Sequence, residues 1–286
     1  MKKICFTILS FCCLLSCNQE NDIDLTPYDP KIVVEGSIEE GGYSSVLLSI
    51  SASMTGPKDT LSLLNNVIRS AKVIVSDGTN SEILSLHTND NKIPPYEYRG
   101  SQLKGETGKD YTLTIEYRGE KITATTYIPE PVAIDAVWFK KDHPNDTTGY
   151  ISISFKNTTT DYYQISTRVV SKEKVFTSCL YGNLDSRLYR PNEQVSIQIN
   201  KGPVLFPETT YRTDFNVSSP VWVKLSTVPK ETYKFWTSYQ NEILNTQNPI
   251  FPANTSLISN IKGGIGIWSG YGSKVQYFDP QSNSGP

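Results

Sequence analysis

Cysteine is nearly absent from the body of this chain. Five occur in 286 residues, and four of them, Cys5, Cys12, Cys13 and Cys17, crowd the N-terminus. Only Cys179 remains, so the rest of the chain can form no internal disulfide. A lone thiol without an evident basic partner reads as a small buried apolar residue. Histidine is scarcer still, with His87 and His143 alone. A zinc site needs three or four nitrogen, sulfur or oxygen ligands, and neither histidine has a second His or Cys at ligand spacing. No metal or cofactor is expected. The loop from Asp142 to Asp146 carries oxygen ligands but not the calcium-loop order. No GxSxG or HExxH motif occurs, and the C-terminal glycines do not follow the phosphate-loop order. A Ser, His and Asp triad, or a pair of carboxylates, would have to assemble from distant strands.

A basic excess is also lacking. Lys2 and Lys3 lie in the first sixteen residues, and without that segment the balance is 27 − 2 = 25 basic against 29 acidic residues. A formal charge of about −4 excludes the basic surface on which nucleic-acid binding rests. After residue 16 there is no long apolar run, so no transmembrane helix is expected.

The one long apolar run sits at the start. Lys2 and Lys3 precede Ile4 to Leu15, the layout of a signal peptide. Leu14-Leu15-Ser16-Cys17 then resembles the bacterial lipobox, in which a small residue precedes the cysteine that takes up diacylglycerol. Residues 1–16 therefore read as the signal peptide and Cys17 as the lipidated N-terminus of the mature chain. Two acyl chains suffice for stable anchoring where one is marginal. Residues 17–30 read as a polar, acidic tether. Asn18 at the second position resembles outer-membrane sorting, and the acidic run after the cysteine resembles a surface-export signal of Bacteroidota.

Nearly all of the remaining chain reads as strand. Lys31 to Ile38, Ser44 to Ser51, Ala71 to Ser76 and Glu82 to His87 are short apolar runs bounded by Gly, Asp or Asn. Leu61 to Arg69 fits a short helix or a surface loop. The clearest hairpin joins Asp110–Tyr117 to Glu120–Tyr127 through Arg118-Gly119, with Tyr111, Leu113 and Ile115 on one face. About seven such strands predict an immunoglobulin-like β-sandwich over 31–130. Ile128-Pro129-Glu130-Pro131 then stiffens the chain and marks a boundary. Strands resume over 131–280, which predicts a second β-sandwich or barrel-like domain. Within it Pro229 to Asn245 has helical spacing, with Pro229 suited to the first turn and Glu231 to the helix dipole. Its apolar face predicts a lid on the second sandwich. The glycines from Gly263 to Gly272 punctuate a closing strand pair, and residues 281–286 read as a disordered tail.

With VVEG (Val33 to Gly36), VIVSDG (Val73 to Gly78), YTLTIEYRGEKITATTYIPEPV (Tyr111 to Val132), KETYKFWTSYQNEI (Lys230 to Ile243) and SNIKGGIGIWSGYG (Ser259 to Gly272) in this order, the chain resembles a Bacteroidota lipoprotein family known as domain of unknown function 4249. The resemblance spans nearly the whole mature chain. It implies an outer-membrane lipoprotein, often encoded beside a TonB-dependent receptor, and supplies no catalytic residue.

The function expected on these grounds is a non-enzymatic accessory or interaction protein, held at the outer membrane through Cys17 beside a TonB-dependent receptor. The alternative is a glycan- or peptide-binding lipoprotein, with a cryptic hydrolase behind it. All four tryptophans, Trp138, Trp222, Trp236 and Trp268, lie in the second region. Trp236, Trp268 and Tyr271 are the candidate contacts, since aromatic faces stack on sugars and anchor interfaces. Asp59-Thr60-Leu61 and Asp146-Thr147-Thr148 resemble the O-glycosylation pattern of Bacteroidota, which makes Thr60 and Thr147 candidate acceptors.

Overall fold

Alternation along the strands dictates the architecture. A computed structural model describes residues 29–51, 64–202, 212–246 and 257–282. The predicted signal peptide, Cys17, Thr60 and residues 283–286 of the expected tail lie outside these. The chain divides into two units, Met1–Pro30 and Lys31–Pro286. In the second unit β1 (Ile32–Glu39) buries Ile32, Val34, Gly36 and Ile38 and turns Val33, Glu35, Ser37 and Glu39 the other way. A period of two is what a half-buried strand requires.

The first half contributes β2 (Tyr43–Ile50), β3 (Lys72–Ser76), β4 (Ser81–Ile83), β5 (Ser85–Thr88), β6 (Tyr96–Lys104), β7 (Asp110–Tyr117) and β8 (Glu120–Tyr127). The hairpin of β7 and β8 has the expected register, from Asp110 against Tyr127 to Tyr117 against Glu120. Arg118 and Gly119 both have positive φ, as a two-residue turn matched to strand twist demands. The single strand expected from Glu82 to His87 is divided at Leu84. That residue's amide bonds to Val73, and β4 and β5 join different sheets. Of the segment from Leu61 to Arg69, Leu64 and Asn65 form a helical turn and Val67 bridges to Ser49.

The second half contributes β9 (Ala136–Lys140), β10 (Thr148–Lys156), β11 (Tyr162–Val169), β12 (Thr177–Asp185), β13 (Gln194–Ile199), β14 (Phe215–Asn216), β15 (Val221–Val228), the helix α1 (Lys230–Thr246) and β16 (Ile265–Phe278). One eight-stranded sheet, ordered β12-β11-β15-β16-β1-β2-β6-β5, runs through both halves. A sheet of β4-β3-β7-β8 covers one part of it, with Val34, Leu48, Val75, Leu113, Ile115 and Trp268 in the core between them. The strands β13-β10-β14, with β9 beside β10, cover the other part over Ile153, Phe155, Tyr163, Val223 and Phe278. The chain is thus mainly β and sandwich-like, and no sheet among the described residues closes into a barrel.

β16 is the stitch between the halves. It is one strand of 14 residues and not the closing pair expected. Val33 to Glu39 pair in parallel with Ile265 to Tyr271, and Val221 to Thr227 pair antiparallel with Phe278 to Gly272. Its glycines serve close approach. A Cβ on Gly270 would lie 1.9 Å from the Tyr127 carbonyl, and one on Gly272 would lie 2.0 Å from that of Pro129. The Pro-Glu-Pro crossing therefore lies directly against β16.

Candidate functional site

Because both cores use one face of the eight-stranded sheet, its other face is left to polar residues. Register fixes which ones. On β1 and β16 it carries Glu35, Ser37 and Glu39 beside Ile267, Ser269 and Tyr271. On β2 and β6 it carries Leu47 and Ser45, with Ser45 opposite Arg99. On β15 and β11 it carries Ser226 and Lys224 opposite Gln164 and Ser166.

Helix α1 packs over part of this face, against β16, β11 and β12. It begins at the expected place, with Pro229 accepting the first helical bond from Tyr233. The face marked by its pattern does meet the sheet, but through polar atoms as well as rings. Thr232 Oγ1 bonds to Ser269 Oγ at 3.1 Å, Trp236 Nε1 donates to the Tyr271 hydroxyl at 3.0 Å, and Gln240 Nε2 donates to the Cys179 carbonyl at 2.9 Å. Tyr233 stacks on Tyr162 with ring centroids 4.4 Å apart. The helix is polar where the sheet is polar, so these bonds replace hydration of both partners. The rings of Phe235, Trp236 and Tyr239 pack on one another, with Trp236 and Tyr239 nearly perpendicular at 86°.

On the other side of β1 and β2 stands the turn between β5 and β6. Lys92 Nζ reaches Glu97 at 2.5 Å and Ser45 Oγ at 3.0 Å. Ser45 donates to the same carboxylate at 2.6 Å, and Asn89 Nδ2 donates to its second oxygen at 2.8 Å. Burial opposes ionisation of Glu97, but these bonds outweigh it and hold the carboxyl at about 2.

Between helix and turn the polar face of β1 is left, and on it sits Glu35. Its side chain is exposed, yet desolvation by the surrounding protein raises its pKa, with the Lys92 charge opposing. Among the described residues no lysine or arginine pairs with it. Glu39 is matched by Lys224 at 3.4 Å and Glu97 by Lys92; among the described residues of this face Glu35 and, two strands away, Arg99 are in no ion pair. Burial, together with the Glu35 field, raises the phenols of Tyr239 and Tyr271, the latter to about 12.

The residues singled out on the sequence are thus divided. Trp236 and Tyr271 are brought together where α1 lies on the sheet. Trp268 is a correction: it is fully buried on the opposite face and donates through Nε1 to the Tyr111 carbonyl at 3.0 Å. It cannot contact a ligand, because neighbours along β16 alternate faces. Thr147 is exposed in the bend just before β10. Cys179 is buried, and burial pushes its thiol up to about 12. Among the described residues no three His, Cys, Asp or Glu side chains gather as metal ligands. Glu35, Lys92, Glu97, Ser45 and Tyr239 were not anticipated. The available signal was a charged residue in the middle of β1, within VVEG.

The described residues define a mainly β sandwich protein with one helix laid over a polar sheet face. The chain belongs to the family described as "Domain of unknown function (DUF4249)", which it matches over residues 19–276. No curated protein matches it. It is similar to a solved structure titled "Cytokine receptor complex - Crystal form 1A", at 8% identity and a TM-score of 0.25, over 87% of this chain and 96% of that one. A likeness of that size carries no argument.

Proposed function

We propose that this protein is an outer-membrane lipoprotein, anchored through Cys17, that acts as a non-enzymatic interaction protein beside a TonB-dependent receptor. The observation that carries the interaction reading is the outer face of the eight-stranded sheet: a polar face that α1 covers only in part, leaving Glu35 exposed. The anchor rests on the lipobox at Leu14 to Cys17, and the receptor on the family resemblance. Tethering two partners to one membrane raises their effective concentration, so a modest interface suffices.

The nearest approach to catalytic geometry on this face argues the same way. Ser45 and Lys92 are in contact, as in serine–lysine hydrolases. A lysine base must be neutral, which burial or a neighbouring cation promotes. Here Lys92 has no cation beside it among the described residues and is instead ion-paired with Glu97 at 2.5 Å. The Ser45, Lys92 and Glu97 group therefore reads as a clamp holding the turn to β2. A second reading, glycan or peptide capture, is favoured by Trp236, Tyr239 and Tyr271 where α1 lies on the sheet.

The test is affinity purification of the full lipoprotein from native membranes, with identification of what accompanies it. An outer-membrane receptor is expected. Its absence, with the bait intact, would sink the interaction reading. In parallel, Cys17→Ala is expected to lose lipid labelling and membrane retention; retention of both would remove the anchor.

A further inference from the structure

We infer that the end of the outer sheet face beyond α1 binds an acidic sugar, a uronic-acid unit of a glycan. This rests on the glycan reading and gives it a place and a chemistry; the receptor reading does not depend on it.

Two cations converge there on one ring. The guanidinium of Arg168 lies 5.2 Å from the centre of the Phe176 ring, and Lys224 Nζ lies 4.7 Å from it. Like charges gathered in this way repel, and an anion set beside them relieves the repulsion. The carboxylates around them are in use. Glu39 meets Lys224 at 3.4 Å, Glu173 meets Lys201 at 2.8 Å, and Asp279 accepts the Gln281 amide. Arg168 is in no ion pair among the described residues. Lys172 and Lys174 stand exposed in the loop joining β11 to β12, which makes this end of the sheet basic on a chain whose acidic residues outnumber its basic ones. Arg99 is also in no ion pair, but it stands between Ser45 and Ser85 with no ring paired to it.

Beside the cations the strands set two further rings. Register places Arg168 opposite Trp222, Trp222 opposite Tyr277, and Lys224 opposite Val275. Trp222 and Tyr277 meet edge to face with centroids 5.2 Å apart. Tyr277 and Val275 are each 48% exposed, an apolar patch of the kind that marks a binding surface. The row from Arg168 to Tyr277 spans two strand spacings, about 10 Å, a span that suits two linked sugar rings. A uronate answers both halves of the row. Its C–H face stacks on aromatic rings, and its carboxylate matches the planar guanidinium in a bidentate pair.

The surroundings tell against other anions. β11 and β15, which carry Arg168, Trp222 and Lys224, are paired on both sides, so no peptide adds as a strand beside them. A flat bilayer meets α1 first. The helix stands on the same face, seated on Ser269 and Tyr271 of β16 and on Tyr162 of β11, and a helix with its side chains is about 10 Å across. A sugar chain is narrow enough to lie on the sheet next to it.

The test is isothermal titration of the full-length lipoprotein, in a non-ionic detergent, with tetramers of galacturonate and of mannuronate. Maltotetraose is the neutral sugar, tetraglutamate the acidic peptide and dihexanoylphosphatidylglycerol the anionic lipid. A uronate is expected to bind, and the other three probes about tenfold more weakly or not at all. Arg168→Gln is expected to weaken uronate binding about tenfold and to flatten its salt dependence. Trp222→Ala and Tyr277→Ala are each expected to weaken it several-fold, and Trp222→Phe, which keeps a ring in place, less than Trp222→Ala. Arg99→Gln, on the same face, is expected to leave it unchanged. Thermal melts establish that each variant is folded.

No binding of either uronate overturns the inference, as does equal weakening by Arg168→Gln and Arg99→Gln. Tetraglutamate or the lipid binding as tightly as the uronate overturns the sugar. Receptor capture without uronate binding leaves the receptor reading standing and removes only the sugar. Uronate binding without any captured receptor does the reverse.

Discussion

The indole nitrogen of Trp236 donates to the hydroxyl of Tyr271 at 3.0 Å. This bond ties the middle of α1 to β16, the strand that pairs with β1 on one side and β15 on the other. Two residues earlier on the same strand, Ser269 receives Thr232 from the first turn of the helix at 3.1 Å. The helix is therefore held on the sheet by a short polar network.

Trp236→Phe keeps most of the ring and removes the donor. The cost is expected to be about 1 kcal/mol, the net worth of one such bond. Tyr271→Phe should cost a similar amount, and the double variant should cost less than the sum, with a coupling of order 1 kcal/mol for residues in contact. Urea unfolding of the four proteins measures the cycle. Strict additivity would show that the bond contributes nothing to stability. Amide exchange across α1 should quicken in each single variant, while β7 and β8 stay protected.

Glu35 carries the opposite sign. Desolvation by the protein packed around it, opposed by the Lys92 charge, raises its pKa above the ordinary glutamate value of 4.5. A carboxyl with a raised folded pKa contributes stability that is present below its unfolded pKa and lost as pH rises through the folded one. At neutral pH the ionised side chain is thus a burden on the fold. Glu35→Gln is expected to melt at the wild-type temperature or above it at neutral pH, with the gap closing below pH 4.5. A marked loss at neutral pH would instead make Glu35 a structural group. A residue whose removal stabilises the fold is one kept for another purpose.

Glu97 behaves in the conventional direction. Its pKa falls from 4.5 to about 2, as bonds from Lys92, Ser45 and Asn89 outweigh burial. Its contribution is therefore present above pH 4.5 and lost as pH falls through about 2. Lys92→Gln removes the largest of these bonds and lets the pKa return upward. The variant is expected to be clearly less stable than wild type at neutral pH, with the difference shrinking as pH approaches 2. A difference independent of pH would mean that Lys92 acts through packing alone. Measured beside Glu35→Gln, the two pH profiles should run in opposite directions.

How far the sequence carried these features follows from what each depends on. The hairpin of β7 and β8 was legible because its signals are local: alternating residues and a turn pair that accepts positive φ. Helix α1 was legible for the same reason, from Pro229 onward. The strand β6 was not. Its segment mixes Glu97, Arg99, Gly100 and Gln102 with few apolar residues, because one face belongs to the polar side of the sheet. The division of Glu82 to His87 at Leu84 was hidden too, since alternation does not say which sheet a strand joins. Trp236 and Tyr271 could be singled out as aromatics, but only register separates outward Tyr271 from inward Trp268. Glu35 and Lys92 are 57 positions apart, and nothing local announces that β1 and the turn after β5 share one side of the sheet.

Gly36 tests the register that puts Glu35 on the outer face of the sheet. It stands opposite Trp268 in the parallel pair of β1 and β16. A Cβ there would lie 2.8 Å from Trp268 Cε3 and 3.3 Å from Val46 Cγ2. The indole cannot retreat, because it is fully buried and held by its bond to Tyr111. Gly36→Ala is therefore expected to cost about 1–3 kcal/mol through overpacking. Gly78→Ala is a poor control, since its φ is +88° and strain would enter there by another route. Ser37→Ala, one position along on the outward face, is the better one, and it should be close to neutral. Urea unfolding of both variants decides the matter. A neutral Gly36→Ala with a costly Ser37→Ala would mean that β1 is turned over. Glu35 would then face the core, and the outer face of the sheet would lose its carboxylate.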